Sequence, residues 1–397
     1  MKQDIRVLEQ RGSGYIKLRF FYAILRFNLA ADESCIIQSR TRVQNSIARV
    51  DFILVQHILK TRSWNMVHLL KQIGVFVLII LLSSQVYAAT EQAYQAKFIQ
   101  AQLAKGYTRD QIDAFLKPAK KNALVLKTIR RPWEAQPWYK YYPIFLTEKR
   151  IQAGVTFWKK HQKAIEKAEK EFQVDAEFIV SIIGVETFYG RNMGSFNTRD
   201  ALYSLGFYYP PRSKLFLAEL GSFMDLVEKE KLDPAQVKGS YAGAMGYGQF
   251  ISSSYLHYAV DFNADGKRDL YQPVDAIGSV ANYLKQHHWK WHAPVVYPAQ
   301  IKNEKDVQNM LWKKEKPTMT VQGWSKYGVA LDKENLKHVA AQDRALLFKL
   351  NQNKTENYWL GLNNFYVITR YNHSQLYAMA VYKLSQSIKQ AYLKSLP

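Results

Sequence analysis

Cysteine is almost absent from this 397-residue sequence, which contains only Cys35. An intramolecular disulfide, a CxxC motif and a thiolate zinc site all need more than one cysteine, so they are excluded. Stability must therefore come from packing, for which the length and a hydrophobic content of 48% suffice. The most glycine-rich segment, residues 239–250, has neither the GxGxxG nor the GxxxxGK(S/T) form, so a nucleotide site is unsupported.

Acidic residues are also scarce, since 33 Asp and Glu stand against 55 Lys and Arg, giving a formal net charge of +22. Such an excess favours a polyanionic partner, for example a nucleic acid, an anionic membrane surface or an acidic polymer. The basic residues are spread among Trp and Tyr without a recognisable nucleic-acid module, so we predict no nucleic-acid partner. A carbohydrate polymer that bears carboxylates fits the charge equally well.

Long hydrophobic runs are few. Residues 73–82 are apolar apart from Gly74, which is too short a run for a comfortable membrane span. A positively charged start at 66–71 and small residues at 86–89 flank this run, which is the order of a secretory signal peptide. We therefore predict that residues 66–89 are a cleaved signal and that residues 1–65 are an upstream extension from a misplaced start codon. A cytoplasmic tail ahead of a signal anchor is the alternative.

The remainder has the patterns of a mainly helical (α+β) protein. Residues 90–175 are predicted to be helical, with Thr108 and Gln111 forming a capping box. One amphipathic surface helix is expected over 147–172, and Asp175 is expected to cap the next helix, which ends near Gly190.

After Pro294 the character changes. Segments 318–324 and 346–350 have the composition of strands separated by charged turns, so we place a small β-containing subdomain at 295–360. Residues 361–397 close the chain with a helix predicted at 375–393 and capped by Ser374.

Glu186 is the one acid in an otherwise almost wholly apolar segment, 181–190. Its helical neighbours are Ile182, Ile183 and Tyr189, so its own face of the helix is apolar. Burial disfavours the charged form of a carboxyl group, which lets such an acid stay protonated near neutral pH and donate a proton. The alternative is a structural Glu at the edge of a buried helix that reaches water or a backbone partner.

The second informative segment is 239–250, with four glycines among small and aromatic residues. Glycine there lets backbone approach a ligand closely, although a structural turn with close helix packing is equally compatible. Together with Gly184-Val185-Glu186-Thr187, Tyr209-Pro210 and the run 273–284, this segment closely resembles the B-type lytic murein transglycosylases. The resemblance extends from about Pro132 to the C-terminus.

That resemblance implies a lysozyme-like catalytic core, here residues 176–294, flanked by an α-domain and a small β-domain. Glu186 matches the family's single catalytic acid. The positions that match the family's glycan groove are Ser240, Gln249, Tyr283, Tyr371 and Asn372.

The implied reaction cleaves the β-1,4 bond between N-acetylmuramic acid and N-acetylglucosamine without water, in cell-wall turnover. Protonated Glu186 donates to the glycosidic oxygen and then, as a base, accepts the proton of the muramoyl 6-hydroxyl as this oxygen attacks C1. The product is a 1,6-anhydro end. Most glycosidases need two catalytic carboxylates. Asp200 is the nearest downstream acid, but we expect it to have a capping or turn role and not to act as a second catalytic carboxylate. A hydrolytic muramidase and a non-catalytic peptidoglycan-binding scaffold are the alternatives.

Segment 261–269 has the start of an EF-hand-like calcium loop. Asp261, Asn263 and Asp265 occupy loop positions one, three and five, and glycine follows at six. Position twelve is not the expected Glu, but the resembled family closes the loop with a later Asp, which Asp275 matches. We therefore expect structural Ca²⁺ held by these four side chains and the carbonyl of Lys267, with a metal-free Asx-rich turn as the alternative. No organic cofactor is expected.

Arg212 is a further substrate-binding candidate. Pro211 stands where many members of the resembled family carry an additional Arg, so fewer guanidinium groups can meet the carboxylates of the stem peptide and weaker peptide dependence is expected. The partner is expected to be peptidoglycan glycan strands, with peripheral association with the membrane or with cell-wall proteins left open. No cysteine follows the apolar run, so no lipid anchor is available. A periplasmic monomer is the overall expectation.

Overall fold

The computed structural model describes residues 91–130, 136–353 and 355–396. The predicted extension 1–65 and the predicted signal 66–89 lie outside the described residues. The described residues from Ala93 onward form one compact unit. The boundaries expected at 175, 294 and 360 therefore remain predictions.

Helices make up most of the described chain. They are α1 (91–103), α2 (Arg109–Leu116), α3 (Ala123–Thr128), α4 (Trp138–Tyr141), α5 (Glu148–Lys160), α6 (Gln162–Phe172), α7 (Ala176–Thr187), α8 (Thr198–Tyr208), α9 (Ser213–Glu230), α10 (Ser252–Tyr258), α11 (Pro273–Gln286), α12 (Glu304–Val307), α13 (Val321–Ser325), α14 (Lys333–Leu336), α15 (Asn363–Tyr371) and α16 (Gln375–Lys394). The strands are β1 (Phe196–Asn197), β2 (Lys238–Gly239), β3 (Val296–Ile301), β4 (Val329–Ala330), β5 (Leu346–Asn351) and β6 (Glu356–Gly361).

Helix α7, which carries Glu186, lies at the centre of the helical core and packs against α5, α6, α11 and α16. Its residues Ile179, Ile182 and Ile183 are completely buried. A helix that is apolar on every side is stable only when neighbours cover it all round, and this arrangement fulfils that condition. The acid is therefore held on a helix that is buried on nearly every side.

Local capping signals were predicted well. Thr108 and Gln111 form the reciprocal capping box at α2. The Ser374 side chain accepts from the Tyr377 backbone N–H at the start of α16. Asp175 occupies the N-cap position of α7, but its side chain makes no capping bond. Glu169 Oε1 instead accepts from the Ala176 N–H at 3.1 Å.

Two element predictions were wrong. The single helix expected over 147–172 is divided between α5 and α6 at His161, where the backbone leaves the helical region (φ −113°, ψ 23°) and the imidazole packs on the Phe157 ring at 4.7 Å. The strand expected over 318–324 is instead the short helix α13, because the Thr320 side chain caps it by accepting from the Gly323 N–H. The strand predicted at 346–350 is confirmed as β5.

The sheet is a small antiparallel structure of four strands in the order β4-β3-β6-β5. Val296 pairs with Gly361 on one side of β6, and Leu346 pairs with Gly361 on the other. The sheet has its own core, which includes Trp324 and Leu347. A separate two-stranded ladder pairs β1 with β2 and ties the start of the glycine-rich segment to the chain after α7. In the described ranges no helix is long and apolar enough to cross a membrane.

Candidate active site

Glu186 is the penultimate residue of α7 and is partly exposed. The hydroxyl of Tyr377, on α16, donates to Glu186 Oε1 at 2.6 Å. Tyr377 is 2% exposed, so this bond is shielded from bulk water. One carboxylate oxygen of the acid is therefore occupied by a phenol from the far end of the chain.

The chain immediately after Glu186 turns sharply. Phe188, Tyr189 and Gly190 are all left-handed, with φ values of 52°, 59° and 86°. Left-handed backbone is costly for residues other than glycine, so the surrounding contacts must hold this turn. Thr187 Oγ1 supplies two of them, since it donates to the Tyr247 carbonyl at 3.0 Å and accepts from the Gly190 N–H at 3.0 Å. The end of the Glu186 helix is thereby joined to the glycine-rich segment.

The glycine-rich segment packs closely against its neighbours, as its glycine content predicted. A Cβ added at Gly190 would lie 2.2 Å from the Tyr247 ring, and one added at Gly246 would lie 2.4 Å from the Leu270 carbonyl. Side chains cannot be accommodated at such distances. The segment therefore packs backbone directly against the turn that follows the acid.

Ser240 and Gln249, both predicted to line the groove, hold this segment in shape. Ser240 Oγ accepts from the backbone N–H groups of Ala242 (3.3 Å) and Ala244 (3.1 Å). Gln249 Nε2 donates to the carbonyls of Met193 (3.1 Å) and Gly246 (3.0 Å). Both side chains are partly exposed.

Tyr371 forms the wall beside Tyr377. Its ring is nearly parallel to that of Tyr377 at 6.4 Å, and its hydroxyl donates to the Gly248 carbonyl at 2.5 Å. Burial, followed by the nearby charge of Glu186, raises the pKa of both phenols well above the ordinary value. Both therefore remain hydrogen-bond donors throughout the physiological pH range.

Tyr283 supports this wall from behind. It is 7% exposed and packs edge-on against Tyr371 at 4.7 Å. Its hydroxyl donates to the Arg370 carbonyl at 2.6 Å. Helix α11 is thus connected to the end of α15, and the position of Tyr371 depends on both.

Two other predicted groove residues lie further out. Asn372 follows α15 with extended, partly exposed backbone, and its carbonyl accepts from the Ser374 N–H at 2.7 Å. Arg212 lies in the 3-10 turn Pro210–Arg212, is exposed, and stacks on Phe216 at 5.5 Å. The contacts that join Glu186 to Tyr377 and Tyr371 to Gly248 do not include Arg212.

Arg150, which the sequence reading missed, lies behind the Glu186 helix. Its Nη1 donates to the Gly184 carbonyl at 2.7 Å, and its guanidinium lies over the rings of Phe145 (5.2 Å) and Phe188 (4.8 Å). Burial lowers the pKa of this guanidinium. A cation at a helix C-terminus is favoured by the helix dipole. Arg150 lies beside Lys149 in a helix of alternating charges, and no local signal distinguishes the two.

Asp200 has the structural role expected for it. It lies in the first turn of α8, and its Oδ1 accepts from the Lys120 backbone N–H at 2.9 Å. Its carboxylate therefore joins two segments of the fold.

The predicted calcium loop is a tight turn whose side-chain oxygens bind loop amides. Asp261 accepts from the N–H groups of Asp265 (3.0 Å) and Gly266 (2.8 Å), one on each carboxylate oxygen. Asn263 Oδ1 also accepts from Asp265, and Asp265 Oδ1 accepts from the Lys267 N–H at 2.9 Å. Across the described ranges, no three Asp, Glu, His or Cys side chains are grouped closely enough to hold a metal ion.

Asp275 closes the loop from the first turn of α11 and is completely buried. Its Oδ1 accepts from Phe262 (2.9 Å) and Asn263 (3.1 Å), and its Oδ2 accepts from Asp269 (2.8 Å), all backbone N–H groups. Burial raises the pKa of this carboxyl, although the three amides act in the opposite direction. A carboxylate oxygen has two lone-pair sites, so Oδ2 retains one acceptor position.

A mainly helical core that presents one acid from a buried helix end, beside a glycine-rich segment and a wall of tyrosines, defines a lysozyme-like glycan-cleaving enzyme. The sequence profile described as the transglycosylase SLT domain matches residues 90–386. The chain therefore belongs to the family of B-type lytic murein transglycosylases, which confirms the resemblance in its motifs.

Individual relatives agree with this assignment. The chain is 39% identical over 300 residues to membrane-bound lytic murein transglycosylase B of Escherichia coli (strain K12), covering 72% of this chain and 80% of that protein. The structure of E. coli lytic transglycosylase Slt35 in complex with calcium has 40% identity and a TM-score of 0.66, covering 76% of this chain and 94% of that one. Pseudomonas aeruginosa SltB3 in complex with NAG-anhNAM-pentapeptide has 29% identity and a TM-score of 0.63, with 76% and 79% covered. These likenesses confirm the lysozyme-like, mainly α fold and the enzyme class.

Proposed function

We propose that this protein is a lytic transglycosylase that cleaves the MurNAc-GlcNAc β-1,4 bond of peptidoglycan by intramolecular transfer, in cell-wall turnover. The observation that carries the mechanism is the 2.6 Å bond from the Tyr377 hydroxyl to Glu186 Oε1. Because Tyr377 is a donor to Oε1, the transferable proton of the protonated acid belongs on Oε2. This arrangement gives the two oxygens of one carboxyl different tasks.

The reaction then needs no second carboxylate. Glu186 Oε2–H transfers its proton to the glycosidic oxygen as the bond from that oxygen to C1 of MurNAc breaks. The 6-hydroxyl oxygen of the same MurNAc attacks C1, and its proton passes to the Glu186 carboxylate, which regenerates the protonated acid. One glycosidic bond is broken and one formed, so atoms balance without water. Tyr377 holds the carboxyl orientation in both steps.

The substrate is held by the groove on either side of the acid. We assign Ser240, Gln249, Tyr371 and Asn372 to the glycan strand, with Tyr283 supporting Tyr371 from behind. Partly exposed Tyr371 and the loop carbonyls offer the mixture of apolar surface and polar groups that sugars require. Exposed Arg212 is assigned to carboxylates of the stem peptide outside the groove.

Mass spectrometry of the muropeptides released from purified sacculi tests the reaction. We expect 1,6-anhydro ends from the wild type and none from Glu186→Gln, which keeps the shape of the side chain but removes the proton. Glu171→Gln, an exposed acid on α6, is the matched control and should act as the wild type does. Reducing ends would indicate a hydrolytic muramidase, and no release would indicate a binding scaffold. Undiminished anhydro ends from Glu186→Gln would refute the mechanism.

A structural Ca²⁺ in the loop is part of the proposal. Asp261, Asn263 and Asp265 keep acceptor positions beyond their amide bonds, and Asp275 Oδ2 keeps one, so with the Lys267 carbonyl they provide oxygen ligands for a hard cation. The E. coli Slt35 structure is a complex with calcium, which supports the same chemistry here. Calcium binding is expected to stabilise the loop without acting on the scissile bond. Calorimetry on chelator-treated protein should show calcium binding and a calcium-dependent rise in Tm, and the absence of both would remove the site.

Export is the remaining part of the proposal. We infer translation from Met66, cleavage of the signal 66–89 and a periplasmic, monomeric enzyme. The E. coli relative is named membrane-bound, so peripheral association with the membrane or with cell-wall proteins remains compatible with this proposal. Intact mass and N-terminal sequence of the exported protein test the start site. A mature protein that begins before residue 66 would contradict it.

A further inference from the structure

A group of basic side chains, two of them permanently charged, lies beside Tyr371 and Tyr283. It comprises Arg370, Lys314, His287 and His373, hereafter the Arg370 cluster. The Arg370 guanidinium stacks on Tyr366 at 4.2 Å, and its Nη2 donates to Thr369 Oγ1 at 2.9 Å and to the Lys314 carbonyl at 3.5 Å. Lys314 has a φ of 86°, a left-handed backbone that a lysine adopts only at a cost. The loop that carries Lys314 is therefore held against the end of α15.

The cluster has no acidic counterpart in the described ranges. None of the ion pairs found there includes one of its members. Arg370 Nε is buried and has no hydrogen-bond partner among the described residues. Glu315, the acid next to Lys314 in sequence, turns its carboxylate to the Lys313 N–H at 3.0 Å. Positive charge is therefore concentrated here without local compensation.

The members of the cluster also disfavour one another's charge. Burial, and then the charge of Arg370, lowers the pKa of His373, and Lys314 and His287 add to this effect. Burial lowers the pKa of His287 as well, with Arg370 contributing in the same direction. A bound anion would reverse these repulsions, because an opposite charge within a few ångströms favours the cationic forms.

The position of the cluster relates it to the groove. The Arg370 carbonyl accepts from Tyr283, and the His287 ring stacks on Tyr283 at 4.1 Å. Tyr371, the next residue after Arg370, bonds the glycine-rich segment through its hydroxyl. His373 follows Asn372 and is exposed. A group attached to a sugar beside Tyr371 therefore lies near the cations of Arg370 and Lys314 and near two imidazoles that a bound anion would help to protonate.

We propose that the Arg370 cluster is an anion-binding subsite for carboxylates of the stem peptide carried by MurNAc. This inference rests on the proposed function. Arg370 supplies a planar fork suited to a carboxylate, and Lys314 and His373 supply exposed donors around it. Arg370 lies at the end of α15, whereas Arg212 lies in the 3-10 turn Pro210–Arg212, so the two candidate contacts belong to different elements. The subsite makes the enzyme favour peptide-bearing glycan even though Pro211 replaces an Arg.

Two kinds of glycan strand distinguish this subsite from a general effect on activity. One is the intact strand, and the other is the same strand after an amidase has removed its peptides. The test variants are Lys314→Met and His373→Gln, both at exposed positions, singly and together. Lys316→Met, exposed in the same loop, is the matched control. Rates of anhydro-end formation give KM and kcat, and calorimetry of a soluble muramoyl pentapeptide with Glu186→Gln protein measures binding without turnover.

We expect KM on intact strands to rise about 2- to 5-fold for each variant, the range for loss of one exposed ion pair, and about tenfold for the pair. On peptide-free strands KM should be unchanged, and Lys316→Met should match the wild type on both. Equal effects on the two strands, or none on either, would overturn the inference. Cluster-dependent binding of the pentapeptide without any anhydro ends would support the subsite and refute the proposed function.

Discussion

The packing behind Glu186 makes a single methyl group at Gly184 a sharp test of the site. A Cβ on Gly184 would lie 2.5 Å from the Tyr189 hydroxyl, 2.7 Å from Cζ and 2.9 Å from Cε1. Gly154 on α5 faces the same hydroxyl at the same distance. The Tyr189 phenol thus lies between α7 and α5, where Gly184 and Gly154 provide the space for it.

The expected cost follows from two opposing terms. Overpacking a well-filled core costs about 1–3 kcal/mol, whereas replacing a helical glycine by alanine gains about 1 kcal/mol. The Tyr189 ring cannot move aside easily, because it packs on Phe157 at 5.5 Å and its own backbone is left-handed. The clash therefore belongs at the upper end of its range, and Gly184→Ala should lose about 1–2 kcal/mol of unfolding free energy.

A double-mutant cycle that combines Gly184→Ala with Tyr189→Phe isolates the clash between the added methyl group and the Tyr189 hydroxyl. The Tyr189 hydroxyl is buried without a hydrogen-bond partner among the described residues, so removing it alone should be neutral or stabilising. The double variant should recover at least about 0.5 kcal/mol, because the nearest clashing atom is absent. Gly206→Ala is the matched control, since the one atom within 3 Å of its Cβ is the end of the flexible Leu217 side chain, at 2.9 Å.

Urea unfolding at a fixed pH measures all of these variants, and the rate of anhydro-end release is measured beside it. The end of α7 must shift to admit the methyl group, so kcat should fall with stability in Gly184→Ala and recover with it in the double variant. Gly184→Ala as stable as the wild type, or a double variant no more stable than the single one, would refute the packing argument.

Three further predictions concern the acid, the loop and the histidines. Tyr377→Phe removes the hydrogen bond to the Glu186 carboxyl, which is charged between the two proton transfers, and should lower kcat about 10- to 100-fold with little change in KM. Muropeptide release measures both constants, and an unchanged kcat would exclude an orienting role. Asp275→Ala leaves three backbone amides unpaired and should cost about 3 kcal/mol or more in calcium-free urea unfolding, and a loss below 1 kcal/mol would contradict that account. The pKa values of His161, His287 and His373 are lowered mainly by burial. As pH falls, the unfolded chain therefore binds protons before the folded protein does. The free energy of unfolding should keep the full contribution of these histidines above the ordinary pKa of 6.5 and lose it as pH drops below that value. Replacing all three by Gln should flatten that fall, and an equally steep fall would contradict the assignment.

The sequence predicted those structural features that are determined by residues close to one another along the chain. The apolar neighbours of Glu186 lie three or four positions away on one helix, so its placement on a buried helix could be read directly. The same holds for the capping box at Thr108 and for Ser374. The glycines of 239–250 likewise indicated close backbone approach, because a residue without a side chain lets the backbone contact its neighbours directly.

Features that depend on distant residues or on competing local signals were missed. Tyr377 is 191 residues from Glu186, and no periodicity connects them. Segment 318–324 has strand-like composition, but the cap that Thr320 provides is a stronger local determinant. Asp175 has the residue type of an N-cap, yet Trp289 Nε1 donates to its side chain at 2.8 Å. Tertiary partners decided the cases of Tyr377 and Asp175, and a competing local cap decided that of segment 318–324.

The bond between Tyr377 and Glu186 also has a consequence for the order of synthesis. A ribosome that has reached residue 370 has already made the acid, its helix and the glycine-rich segment. It has not yet made the phenol that orients the acid, nor α16, which covers α7. A nascent chain therefore cannot cleave glycan until its last helix has emerged and docked, and premature termination anywhere before Tyr377 yields a protein without a complete site.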